Sequence, residues 1–128
     1  MGREKIVIGK IGERRAQEFL RKKGYKITEL NYRTFFGEID AVAKKDDFIV
    51  FIEVKTRTGS SLGPPYLSVT IRKQRQIVKN ALLYLKRRGL IDSYWRIDVV
   101  SVKLNHECEV ENIEIIENAV EDYKGGRL

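Results

Sequence analysis

Apolar residues Ile8, Ile11, Ala16, Phe19 and Leu20 recur at helical spacing among Lys, Arg and Glu. Lys22-Lys23-Gly24 then supplies a basic last turn and a glycine stop, so a helix is predicted over 7–23. Residues 25–33 have the composition of a strand. Next, Glu38-Ile39-Asp40-Ala41-Val42-Ala43 and Phe48-Ile49-Val50-Phe51-Ile52-Glu53-Val54 flank the polar Lys44-Lys45-Asp46-Asp47, which reads as a hairpin. Beyond a Gly/Ser/Pro-rich loop over 58–65, Val69, Ile77, Val78, Ala81, Leu82 and Leu85 return to a helical period that ends at Lys86-Arg87-Arg88-Gly89. A second helix is predicted over 68–88, followed by strands over 94–104 and 110–116 around an Asn105-His106-Glu107 turn. The order α-β-β-β-α-β-β is most economically an α/β sandwich with a mixed sheet.

The hairpin fixes a register. With Asp46-Asp47 as its two-residue loop, paired positions sum to 93, which sets Asp40 opposite Glu53 and Glu38 opposite Lys55. Cross-strand partners share a face with Cβ atoms about 5 Å apart, so these four side chains are expected on one side. Ile39, Ala41, Ala43, Phe48, Val50, Ile52 and Val54 are expected on the other, as core. A slip of one residue would drive the acids into that core, so the hydrophobic pattern itself enforces the pairing.

Composition narrows the chemistry. At 128 residues, 42% hydrophobic and 34% charged, the chain is expected to be one globular domain, with its core at about 7–117 and a tail over 118–128. Its apolar runs are too short for a membrane span or a signal-peptide core, which predicts a cytoplasmic protein. One cysteine, Cys108, and one histidine, His106, leave almost no material for a disulfide, a zinc site or a histidine-activated nucleophile. The formal charge is +7, and it is unevenly placed. Residues 54–91 hold Lys55, Arg57, Arg72, Lys73, Arg75, Lys79, Lys86, Arg87 and Arg88 without any Asp or Glu, whereas 105–122 are acidic without any Lys or Arg. Such a basic sector suits a polyanion, because neutralising phosphates releases counterions; a solvated charged surface is the plainer alternative.

Two carboxylates set side by side repel, so one must take up a proton at a raised pKa unless a cation neutralises them. Mg²⁺, or Mn²⁺, suits Asp40 and Glu53, with the Val54 carbonyl as an added ligand, because such hard cations take oxygen donors and keep waters. Lys55, two residues beyond Glu53 on the same face, could lower the pKa of a metal-bound water, orient it, or stabilise charge building on phosphorus. The alternative is a hairpin with ordinary surface Glu–Lys pairs, worth under about 1 kcal/mol.

Gly12-Glu13, Gly24-Tyr25, Asn31-Tyr32-Arg33, Gly37-Glu38-Ile39-Asp40 and Phe51-Ile52-Glu53-Val54-Lys55-Thr56-Arg57 resemble, in order, the motifs of the YraN family of small bacterial proteins. Lys73-Gln74-Arg75-Gln76-Ile77, Ala81-Leu82 and Arg96-Ile97-Asp98-Val99-Val100 continue the resemblance, which spans roughly 8–102. That family in turn resembles archaeal Holliday-junction resolvases and the PD-(D/E)xK nucleases. The resemblance implies a restriction-endonuclease-like fold and a metal-dependent endonuclease acting on DNA, including branched DNA, as a symmetric homodimer. Asp40, Glu53 and Lys55 match the nuclease motif, and Glu13 the first-helix acid of resolvase-like members. Ile97 stands where an aromatic residue is common, and the acidic segment after Asn105 matches nothing in the family. A nucleic-acid-binding module that keeps the fold without turnover is the competing reading.

On a helical wheel Glu13 falls at the edge of the apolar stripe, where it could approach Asp40 and join the metal's ligands, or stay solvated. Gln74 lies within the stripe of the second helix and needs a buried partner, either at the active site or on the backbone. Lys73 sits at that stripe's edge. Arg72, Arg75, Lys79 and Lys86 occupy the other face, where they could track a phosphate backbone or only keep the protein soluble; Arg57, Arg72, Lys73, Arg75 and Lys79 are the candidates for nucleic-acid contact. Among Tyr32, Phe35, Phe36, Tyr66, Tyr84, Tyr94 and Trp95, Tyr66 in the Gly/Pro-rich loop is the expected exposed stacking platform. Asp98 is expected to be a structural ion-pair partner, with Arg57 as a candidate.

Overall fold

The computed structural model describes residues 2–59 and 69–120. Two helices, α1 (Gly2–Lys22) and α2 (Ile71–Arg87), accompany strands β1 (Lys26–Thr34), β2 (Gly37–Lys45), β3 (Phe48–Thr58), β4 (Trp95–Leu104) and β5 (Val110–Ile116). The chain order is the expected α-β-β-β-α-β-β of the restriction-endonuclease-like sandwich. The five strands form one mixed sheet in the order β1-β2-β3-β4-β5, antiparallel except for β3 against β4. That parallel pair needs a crossover, and α2 supplies it. Relative to the expected span, α1 starts five residues earlier, whereas β3 runs on to Thr58.

The helices cover opposite faces. Ala16 and Leu20 of α1 pack with Ala41, Ala43, Val50, Ile52, Val100 and Val102, while Ile77, Val78, Ala81 and Leu85 of α2 pack with Ile39, Val42, Phe51 and Ile97. Covering on both sides explains why β3 opens as an unbroken apolar run, since neither face of a central strand meets water. Thr70 caps α2 by accepting the Lys73 N–H at 3.1 Å, a contact worth about 1 kcal/mol. Among the described residues no helix is long and apolar enough to cross a membrane.

One carboxylate lies fully inside this frame. Asp98 on β4 accepts bonds from Arg96 Nε (3.0 Å), the Tyr25 hydroxyl (2.9 Å) and the Asn118 N–H (2.8 Å). Its cationic partner is therefore Arg96, not Arg57. Residues i and i+2 on a strand share a face, so Arg96 reaches Asp98 without crossing the sheet, and Arg57 on β3 is exposed. Burial and the Asp98 carboxylate together push the Tyr25 hydroxyl well above its usual range.

Candidate active site

The β2–β3 ladder keeps the expected sum of 93, from Lys45–Phe48 to Ala41–Ile52. At Asp40 it stops. Strict alternation would place Ile39 and Ala41 on one face, but Ala41 packs in the α1 layer and Ile39 in the α2 layer. On the neighbouring strand Tyr32, the partner of Ile39, also joins the α2 layer, and Asn31 between takes a left-handed backbone with φ of 50°. Asparagine tolerates that conformation better than most residues. Both strands thus turn over at Asn31 and Asp40, which corrects the continuous apolar face expected for Ile39 through Val54. Glu38 likewise pairs with Arg33 of β1 at 3.1 Å rather than standing opposite Lys55 in the ladder.

The turnover gives the Asp40 side chain a backbone's place. Its Oδ2 accepts the Val54 N–H at 2.7 Å, a bond that a regular ladder would send to a β2 carbonyl. Asp40 is thereby locked against β3 next to Glu53, which is 6% exposed. Burial, then the Glu53 charge, pushes the Asp40 carboxyl up to about 8. Burial also raises Glu53, opposed by the ammonium groups of Lys73 and Lys55 and by a hydrogen bond shared with Asp40. Lys73 Nζ stands 3.8 Å from Glu53 Oε2, so α2 already sends one cation to the pair.

Glu13 arrives from the other face. A Cβ at Gly12 would collide with the Thr56 side chain, so the missing atom lets α1 settle directly on β3 and sets Glu13 beside the pair. From there its charge raises both Asp40 and Glu53. Glu13, Val54, Lys55, Thr56 and Arg57 line a cleft of about 530 Å³ at the α1 end of β3. Among the described residues no three His, Cys, Asp or Glu side chains close up into a metal cluster, so Asp40 and Glu53 form a two-carboxylate platform with Glu13 as a neighbouring charge.

Residues 12–102 match the profile of Uncharacterised protein family UPF0102. This chain belongs to the UPF0102 family. It is 46% identical to a UPF0102 protein of Geobacter metallireducens, over 89% of this chain and 92% of that one. A UPF0102 protein of Dictyoglomus turgidum is 43% identical over 88% and 95%, and one of Clostridium acetobutylicum 40% over 87% and 91%. UPF0102 is the YraN family that the motifs resemble.

The remaining candidates of this UPF0102 chain divide between two places. Arg57 is exposed beside the cleft, and Arg72, Arg75 and Lys79 are exposed along one stripe of α2. Gln74 turns its amide nitrogen to the Val69 carbonyl at 3.0 Å, the backbone partner its position allowed. Of the aromatic residues, Tyr32, Tyr84, Phe51 and Trp95 pack edge-to-face inside, while Phe35 and Tyr94 are exposed; Tyr66 lies outside the described residues. Two contributors, Asn31 and Thr56, were legible only as motif residues and not in these roles. An asparagine in mid-strand is a readable warning of a bend, whereas the Gly12–Thr56 contact needs coordinates.

Proposed function

We propose that this protein is a divalent-metal-dependent endonuclease that hydrolyses phosphodiesters of DNA, branched DNA included. The observation that carries this reading is the Asp40–Glu53 pair, held together by the fold with too little protein charge to neutralise it. The donor set fits a hard divalent cation such as Mg²⁺ or Mn²⁺: oxygen donors only, in an environment that already attracts the Lys73 ammonium. Asp40 and Glu53 would hold the cation, with the Val54 carbonyl as a further oxygen. Once bound, it supplies an activated water and a Lewis acid for in-line attack on phosphorus.

The protein's own groups do the rest. The Val54 N–H fixes one Asp40 oxygen and leaves the other for a proton or a cation. Lys55 offers a compact positive charge to the phosphoryl oxygens, where charge builds during attack. Glu13 adds negative potential that favours cation entry. Arg57, Arg72, Arg75 and Lys79 supply sequence-independent backbone contacts, so binding should weaken steeply with salt.

A nucleic-acid-binding module without turnover is the second reading, favoured by the lack of a third chelating carboxylate among the described residues. Incubation with linear, single-stranded and four-way-junction DNA in Mg²⁺ or Mn²⁺ separates the two. Cleavage by the wild-type chain that is lost in Asp40→Ala and Lys55→Ala supports the nuclease. Cleavage that survives both substitutions indicates a contaminant, and binding without cleavage in either metal supports the module.

A further inference from the structure

The β1–β2 turn places two phenylalanines, Phe35 and Phe36, where tight hairpins favour Asn, Asp or Gly. Neither takes the left-handed backbone usual there. Side chains hold the turn instead: Phe36 N–H donates to Thr34 Oγ1 at 3.0 Å, and Gln76 of α2 donates to the Phe36 carbonyl. Gly37, with φ of 129°, leaves room for that glutamine. The tip is thus tied to α2, and it presents Phe35 at 84% exposure, its ring centroid 4.3 Å from that of Phe36. Phe35 is the most exposed large hydrophobic residue among the described ones, held out by a turn that the rest of the fold fixes in place.

The tip borders a groove of about 740 Å³ that it shares with Arg72, Lys73, Arg75 and Lys79, and no acidic side chain lines it among the described residues. Positions 72, 75 and 79 fall on one stripe of a helix, giving a row of positive charge beside an aromatic step. Lys73 belongs to this groove and to the carboxylate pair, since its ammonium lies 3.8 Å from Glu53. Groove and acid pair are therefore contiguous.

We infer that Phe35, backed by Phe36, is a stacking platform for an unpaired base of a nucleic acid whose backbone runs along Arg72, Arg75 and Lys79. The inference rests on the proposed action at nucleic acid and deepens it by naming the substrate class: strands with unpaired nucleotides next to the cleavage site. Bases inside a duplex are stacked on both faces and have none to offer such a step, whereas unpaired bases do. A preorganised, tied platform binds without ordering a loop, which favours affinity.

The test is fluorescence anisotropy in EDTA, so that nothing is cleaved, with a labelled single strand and its blunt duplex at fixed salt. Phe35→Ala should weaken single-strand binding roughly tenfold and leave duplex binding and the salt slope unchanged. Phe35→Trp should keep the wild-type affinity, and its indole emission, read against Trp95 alone in the wild type, should be quenched by the single strand. Equal losses on both ligands, no loss, absence of single-strand binding by the wild type, or a change in sedimentation showing that Phe35 joins two copies would overturn the inference. The nuclease reading fails on a different result, namely DNA bound but never cleaved in Mg²⁺ or Mn²⁺.

Discussion

Among the described residues, two places hold carboxylates largely out of water, and they are opposites. Asp98 is fully buried and has a guanidinium, a phenol and a backbone N–H around it. Asp40 and Glu53 lie on the neighbouring strands β2 and β3 with one backbone N–H, the Lys73 ammonium at 3.8 Å and the Lys55 charge beyond it, against the further negative charge of Glu13. A buried charge is tolerable when its lone pairs are filled and costly when they are not. The first arrangement is complete within the protein and stabilises the fold. The second is complete only with an external cation or a proton, the mark of a site rather than a strut.

The comparison breaks if equivalent substitutions behave alike. Asp98→Asn should cost about 3 kcal/mol in denaturant unfolding, because Arg96, with its side chain only 14% exposed, loses its nearer counter-charge and keeps only the exposed Glu117 at 4.0 Å. Asp40→Asn should instead raise the stability of the metal-free protein above pH 8. A midpoint for Asp40→Asn below that of the wild type there would show the pair to be structural after all.

Kinetics sharpen the contrast. Asp40→Ala and Glu53→Ala should each lower the cleavage rate by more than about a hundredfold, since even residues that merely orient metal ligands cost 10–100-fold. Adding Mg²⁺ or Mn²⁺ at about 100 times its Kd should stabilise the wild type by about 2.7 kcal/mol, and the Glu53→Gln variant far less. Thermal melts with and without EDTA read both.

The pH dependence has a definite sign. Asp40 titrates at about 8 in the folded state against 3.8 for its ordinary value, so the folded chain binds the extra proton between them. Its contribution to stability is fully present below about pH 4 and is lost as pH rises through 8. In EDTA the wild type should therefore lose stability relative to Asp40→Asn across that window, and saturating Mg²⁺ should flatten the slope. The smallest effect is expected at Gln74. Losing its bond to Val69 should cost about 0.5–1.5 kcal/mol and leave cleavage unchanged, whereas a catalytic role would cut the rate in a variant that melts normally.

Much of this was legible in the chain. The Asp46-Asp47 loop sits between two apolar runs, and Asp46 does take a left-handed backbone with φ of 54°, so the register sum of 93 follows from turn chemistry. That register runs as far as Ala41 opposite Ile52; the last step, in which the Asp40 side chain takes the Val54 N–H beside Glu53, lies beyond it. The face of Ile39 was not legible, because alternation carries no record of a strand that turns over, and Asn31 was its only local sign. The Asp98 partner was half-legible: Arg96 two residues away shares its face, but Tyr25 lies 73 residues off and only the folded sheet brings it there. Phe35 was one aromatic residue among several, and its exposure depends on the Thr34 and Gln76 bonds that hold the turn open.

The Gly12–Thr56 contact offers a control that no polar substitution can. Glycine-to-alanine at residue 12 alters no charge and no hydrogen-bonding group, yet it must lever the first helix off the third strand. The seating of Glu13 thus rests on an absent side chain, and a single methyl there would disturb it while every ionisable group stays in the protein.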